Sequence, residues 1–160
     1  MKVDTSSSAR SQQENWQPVL ELAVEEVFEI MLGCRVAPAS RSEHKASGEF
    51  TAMIGLAGSL CGVLTVCCGA QTAKQLAKCM LGDIVTSEDQ VADALGEICN
   101  MVAGNFKNKL TGMDGRCMLS VPTIIRGGEY EFHSLADGET LEVCVLFEGA
   151  PVAVRLELHS

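Results

Sequence analysis

Hydrophobic and polar positions along this chain follow two periods, one helical and one extended. From Pro18 to Leu32 the helical period places Val19, Leu20, Ala23, Val24, Val27, Phe28, Ile30 and Met31 on one face. Glu21, Glu25, Glu26 and Glu29 fall on the other, so this segment is an amphipathic surface helix. Pro18 suits its first turn and Gly33 can stop it. Residues 35–47 are mixed and polar and predict a loop. Thr72 to Leu81 reads as a short helix ended by Gly82. Ser87 then serves as an N-cap with acids in the first turn, opening a longer helix that runs to about Met113. Its apolar face is Leu95, Ile98, Cys99, Val102, Phe106 and Met113, and Gly112 and Gly115 bracket its end.

The extended period predicts strands at Glu49–Leu56 and Leu60–Cys68, joined by Ala57-Gly58-Ser59 as a hairpin. Apolar residues occupy both faces of the second of these strands. It is therefore expected to be covered on both sides, at a sheet centre or a subunit interface. Met118–Arg126 is a strand that admits Pro122, which suits an edge or a bulge, and Gly127-Gly128 breaks it. Residues 129–140 are ambiguous: Tyr130 to His133 suits a short strand, and Asp137-Gly138 a turn. Leu141–Phe147 and Val152–Leu158 form a second hairpin around Glu148 to Pro151. Val152, Val154, Leu156 and Leu158 alternate with Ala153, Arg155 and Glu157, giving one buried and one solvated face. The order of elements hints at a duplicated unit, each half offering one helix and one β-hairpin.

Composition narrows the function classes. With 160 residues, 47% of them hydrophobic, the chain can bury a sizeable core in one domain. The formal charge is −9 and no basic stripe exists, which argues against nucleic acid and anionic membrane partners and for one with exposed Lys or Arg. Residues 1–15 are polar with no apolar core, so they read as a mobile tail rather than a signal peptide, leaving 16–160 as the folded domain. No apolar run is long enough to span a bilayer. The eight cysteines include no C-x-x-C pair and lie inside apolar stretches, and the three histidines stand far apart. These cysteines read as reduced core residues of a cytoplasmic protein, with no metal site.

The candidate chemistry lies on the long helix. Asp93, Glu97, Asn100 and Gly104 share one stripe of its polar face. A carboxylate there can pair with a cation on another molecule, and a carboxamide one turn away can donate to and accept from a water molecule. Any amphipathic helix needs a polar face, and most such faces do nothing. Two glycines, Gly96 and Gly104, weigh against that plain reading, because each costs a helix about 1 kcal/mol relative to alanine. Gly104, within the stripe, lets another backbone approach closely. Asn100, a mediocre helix former in mid-helix, adds to the impression of a docking surface.

The run Asp93-x-x-x-Glu97-x-x-Asn100, followed by Gly104, resembles the signature helix of the CheC, CheX and FliY response-regulator phosphatase family, with the CheX pattern nearest. Gly55 to Gly58 with its following strand, Met101 to Asn105, and Leu119 to Gly127 match in the same order, so the likeness runs from about residue 18 to 158. Members with two sites carry the signature on two helices. Here the first helix offers Glu25 with Phe28, or Glu26 with Glu29, and no Asn stands in the required place.

The resemblance implies an α/β fold of two layers: an antiparallel β-sheet built from two helix-plus-hairpin halves with helices packed on one side. It further implies removal of phosphate from a phosphorylated aspartate on a CheY-like receiver domain, in the cytoplasm and by a homodimer. The protein would need no cofactor of its own, the receiver supplying the magnesium ion. Asn100 would hold the attacking water and Glu97 would pair with a receiver lysine. Gly104 would make room for the receiver's loops. Asp93 would assist docking, or serve only as an early acid favoured by the helix dipole. Asn105 falls toward the apolar flank, as a structural hydrogen-bonder, and Lys107 is solvated. Two rivals are a receiver-binding adaptor without catalysis and a cysteine-based enzyme or metal protein.

Overall fold

The computed structural model describes residues 16–39, 49–85, 87–110, 116–127 and 138–159. The expected N-terminal tail, most of the 35–47 loop, Thr111, Gly112, Met113 and Gly115, and the ambiguous stretch around Tyr130 to His133 lie outside the described residues.

Seven strands form one antiparallel sheet: β1 (Val36–Pro38), β2 (Phe50–Gly58), β3 (Cys61–Cys68), β4 (Cys117–Leu119), β5 (Thr123–Arg126), β6 (Thr140–Phe147) and β7 (Ala150–His159). Their order across the sheet is β1-β6-β7-β3-β2-β4, with β5 also on β2. The helices are α1 (Trp16–Glu26), α2 (Ala70–Leu81) and α3 (Glu88–Lys109). Fold class and the two-half organisation agree with the sequence.

The halves are interlocked. Hairpins β2–β3 and β6–β7 meet along β3 and β7, where Leu64 faces Leu156 and Val66 faces Val154. The short strand after each helix crosses to the other half: β1, following α1, pairs with β6, while β4 and β5, following α3, pair with β2. The helices exchange in the same sense, α1 resting on the second hairpin and α3 on the first. Neither half can therefore bury its apolar face alone. Ala52, Ile54, Leu64, Val66, Val154 and Leu156 are fully buried or nearly so beneath the helices.

The β6–β7 turn is tighter than expected. Glu148 and Gly149 both take positive φ, 50° and 81°, the two-residue geometry whose twist matches that of the flanking strands. Met118–Arg126 is split into β4 and β5 on the sheet edge, with Ser120, Val121 and Pro122 between them, as the proline required.

Three expectations need correction. Residues 36–38, read as loop, are an edge strand, because three residues ending in proline are too few to show a period while β6 offers them a pairing edge. As expected, β3 sits at the sheet centre, and within the single chain its outer face is half-buried at Val63, Thr65 and Cys67. On β7, Ala153 and Glu157 are half-buried on the face expected to be solvated, while Arg155 and His159 are exposed. Finally, α3 stops at Lys109 instead of Met113, since Leu110 leaves the helix with an extended backbone.

A further difference is at the end of α1. Val27–Met31 continues it as a wide π turn, with the Leu32 amide donating to the Val27 carbonyl five residues back at 2.9 Å. One inserted residue rotates the side chains beyond it by about 100°. Leu20, Ala23, Val24, Val27 and Phe28 are fully buried as predicted, but Ile30 and Met31 turn outward, 77% and 54% exposed. Gly33, at φ +66°, ends the segment.

All eight cysteines are free thiols, but only five are core residues as expected; Cys61 and Cys79 are exposed and Cys67 is half-buried. Burial pushes the Cys68 and Cys99 thiols up to about 12, which keeps them protonated as core side chains. Among the described residues no group of three His, Cys, Asp or Glu side chains is placed to hold a metal ion, and no helix is long and apolar enough to cross a membrane.

Candidate functional site

The start of α3 is fixed by its sequence. The Gln90 amide donates to Ser87 Oγ and the Ser87 amide to Gln90 Oε1, each at 3.2 Å, closing a capping box. Arg126 of β5 reaches Asp89 at 2.7 Å and Glu88 at 3.3 Å, tying the same turn to the sheet edge. Leu95, Ile98, Cys99, Val102 and Phe106 then anchor the helix on the sheet. The opposite stripe is thereby aimed at solvent on a rigid support.

The four candidate residues fall together as expected. Asp93 and Glu97 are exposed, and Asn100 and Gly104 are half-buried. No described residue makes an ion pair or a side-chain hydrogen bond with Asp93, Glu97 or Asn100. Two carboxylates and a carboxamide are thus presented unpaired along one helix face. A carboxylate so placed attracts a cationic side chain from another molecule, and the amide has both a donor and an acceptor available for water.

The two glycines part company. A Cβ on Gly104 would meet nothing within 4 Å, so nothing among the described residues requires glycine there. A Cβ on Gly96 would lie 3.4 Å from Pro122 Cβ and 3.3 Å from Ile124 Cδ1. Gly96 is buried and lets α3 settle on the β4–β5 edge. It therefore belongs to the packing and not to the docking surface suggested by sequence. The edge beneath it is held firmly: the Gly55 amide donates to Ser120 Oγ at 2.8 Å and the Ser120 amide to the Gly55 carbonyl at 2.9 Å.

Asn105 has the structural role expected of it. Its Nδ2 donates to Glu26 Oε2 at 3.1 Å and toward the Ala23 carbonyl at 3.5 Å. Lys109 pairs with the same Glu26 oxygen at 2.6 Å. The hydrogen bond from Lys109, then that from Asn105, hold the Glu26 carboxyl below its ordinary value. Lys107 is half-buried rather than fully solvated. On α1, Phe28 is fully buried and Glu26 is engaged, so neither alternative pairing there reproduces the α3 stripe.

Beside the stripe lies a groove of about 420 Å³ that the sequence did not indicate. Ile30, Met31, Met101 and Gly104 line it together with the polar side chains of Glu26, Asn105 and Asn108. The apolar period carries Ile30 and Met31 into the core of a straight helix, so no signal in the chain exposes them; only the π turn does.

The family model for the chemotaxis phosphatase CheX matches residues 50–147. The chain belongs to the CheX family. A curated relative, the CheY-P phosphatase CheX of Thermotoga maritima, is 26% identical over 113 residues, which cover 69% of this chain and 73% of that one. The crystal structure of CheX from Desulfovibrio desulfuricans superposes with a TM-score of 0.77 at 23% identity, covering 91% of this chain and 99% of that one. CheX in the CheX-CheY-BeF3-Mg complex of Borrelia burgdorferi superposes with a TM-score of 0.70 at 21% identity, covering 89% and 97%. At these identities the structures show a shared fold, and the family match places this chain among chemotaxis phosphatases.

Proposed function

We propose that this protein hydrolyses the phosphoaspartate of a CheY-like receiver domain, with α3 inserted against the receiver. The observation that carries this reading is the unpaired Glu97 and Asn100, one helical turn apart on the solvent face of α3 in a CheX-family chain. The receiver brings the acyl phosphate and its bound magnesium ion as part of the substrate. The protein contributes position and electrostatics, which are the main requirements of phosphoryl transfer to water.

Asn100 holds a water in line with the scissile P–O bond, its carboxamide oxygen accepting from that water. The water oxygen bonds to phosphorus as the bond to the aspartate oxygen breaks, releasing inorganic phosphate and a free aspartate carboxylate. Glu97 pairs with a receiver lysine and sets the angle of insertion. Asp93, one turn upstream, adds to the negative face that meets the receiver. Gly104 leaves space for the receiver's loops, consistent with the open volume at its Cβ position. The eight free thiols suit a cytoplasmic setting. The half-buried outer face of β3 suits a homodimer, which light scattering tests.

The direct test is the decay of phosphorylated receivers from the same organism with and without the protein. Acceleration of at least one supports hydrolysis. Binding without acceleration favours the adaptor, and neither binding nor acceleration rejects both.

A further inference from the structure

Ile30, Met31 and Met101 form one apolar patch around the groove beside Gly104. Single exposed hydrophobics are ordinary on protein surfaces, whereas adjacent ones rimming a concavity mark contact sites. The patch exists because of the π turn. On a straight helix Met31 continues the core face of Val24, Val27 and Phe28; the inserted residue turns it out to 54% exposure and Ile30 to 77%. Wide turns of this kind occur frequently at functional positions.

The groove is continuous with the catalytic stripe. Gly104 belongs to both, and Met101 directly follows Asn100. Whatever lies over Asn100 and Gly104 therefore also lies over the groove. The groove suits an apolar occupant, because two of its three polar lining side chains satisfy each other: Glu26 is paired with Lys109 and accepts from Asn105. Glu97, one turn from Met101, and Asp93, about two turns from it, carry negative charge with no partner among the described residues. The surface thus asks for a partner with a cation and an apolar side chain side by side, and the methionines can adapt to its shape.

We propose that Ile30 and Met31, with Met101, are positioning residues that seat an apolar side chain of the receiver beside its phosphoaspartate. This rests on the proposed receiver function. It adds that α1, through its π turn, contributes affinity and register while α3 supplies the chemistry.

The test is the double variant Ile30→Ala/Met31→Ala, assayed for hydrolysis of a phosphorylated receiver and for binding of the same receiver charged with beryllofluoride and magnesium. Because both side chains are exposed, the variant should keep the wild-type circular dichroism. We expect KM to rise about tenfold and kcat to stay within about twofold, as for loss of interface anchors that do not touch the reacting atoms. Ile30→Leu/Met31→Leu should restore most of the loss. Unchanged KM and affinity overturn the proposal, as does a fall in kcat alone. A shift in oligomeric state without a change in receiver affinity also overturns it, since the occupant is then a second copy of this chain. Loss of beryllofluoride-receiver binding in the variant supports the seat even if the wild type hydrolyses nothing, an outcome that would reject only the catalytic reading. A wild type that neither binds nor hydrolyses rejects both.

Discussion

Asn105 donates its side-chain amide to Glu26 across the α1–α3 contact, at 3.1 Å, while Asn100 on the same helix has no partner among the described residues. Two identical side chains less than two turns apart thus have opposite assignments. Removing a half-buried hydrogen bond costs about 0.5–1.5 kcal/mol. We expect Asn105→Ala to lower stability by about that amount while sparing kcat for receiver dephosphorylation. Asn100→Ala should leave thermal stability nearly unchanged, keep much of the affinity for a phosphorylated receiver, and lose most of the rate acceleration. Full activity in Asn100→Ala removes the water-holding role.

Glu97 is exposed and has no partner among the described residues, so its removal should cost the folded protein almost nothing. A charge-assisted contact with a receiver lysine, the role proposed for Glu97, is worth about 1.5–3 kcal/mol, or roughly ten- to a hundredfold in affinity. We expect Glu97→Ala to weaken both receiver binding and hydrolysis, and to flatten their dependence on salt. Titrating the variant with a beryllofluoride-charged receiver at two ionic strengths checks this. Unchanged affinity removes the docking role.

These contrasts show what the sequence can and cannot carry. The two hairpins were legible because Val152, Val154, Leu156 and Leu158 alternate with a clear period and turn residues interrupt it. The start of α3 was legible because Ser87 and Gln90 stand at capping-box spacing. The stripe itself was legible from periodicity, since a helix fixed on its apolar side leaves no freedom to the other. What Gly96 and Gly104 do was not, because two mid-helix glycines look alike until Pro122, distant in sequence, is seen to lie under only one of them. The fate of Ile30 and Met31 was hidden for a different reason. A π turn is one residue inserted into an otherwise unbroken apolar period, and the period itself argues for burial. The strand Val36–Pro38 escaped notice because its stability comes from β6 and not from its own three residues.

The cluster of Glu26, Lys109 and Asn105 gives stability a dependence on acid. The Glu26 carboxyl is held below its ordinary value of 4.5 in the folded state, first by Lys109 and then by Asn105. A carboxyl with a depressed folded value favours folding once it is ionised in both states, at pH above that ordinary value. The contribution fades as pH falls through the lower folded value. We therefore expect the protein to lose stability as pH drops below about 4.5, and Lys109→Met to show less of that loss than the wild type. Urea melts at a series of acid pH values measure the slope directly. An identical slope in Lys109→Met would show that Glu26 does not contribute to it.

Gly96 and Gly104 offer a paired test in which stability and function move in opposite directions. Alanine at Gly104 enters open space on a regular helix, so Gly104→Ala should stabilise the protein by about 1 kcal/mol, the ordinary helix preference for alanine. The same methyl group protrudes from the docking stripe into the groove and should weaken receiver binding. Alanine at Gly96 has the same intrinsic preference but meets Ile124 Cδ1 at 3.3 Å and Pro122 Cβ at 3.4 Å, and this edge cannot retreat easily because β4 and β5 on either side of Pro122 are both bonded to β2. Overpacking of this kind costs about 1–3 kcal/mol, so Gly96→Ala should come out destabilised by about 1 kcal/mol net. Thermal melts of both variants, with receiver affinity measured alongside, separate the two positions. A stabilised Gly104→Ala that binds the receiver as tightly as the wild type would take Gly104 out of the interface and leave the stripe to Asp93, Glu97 and Asn100 alone.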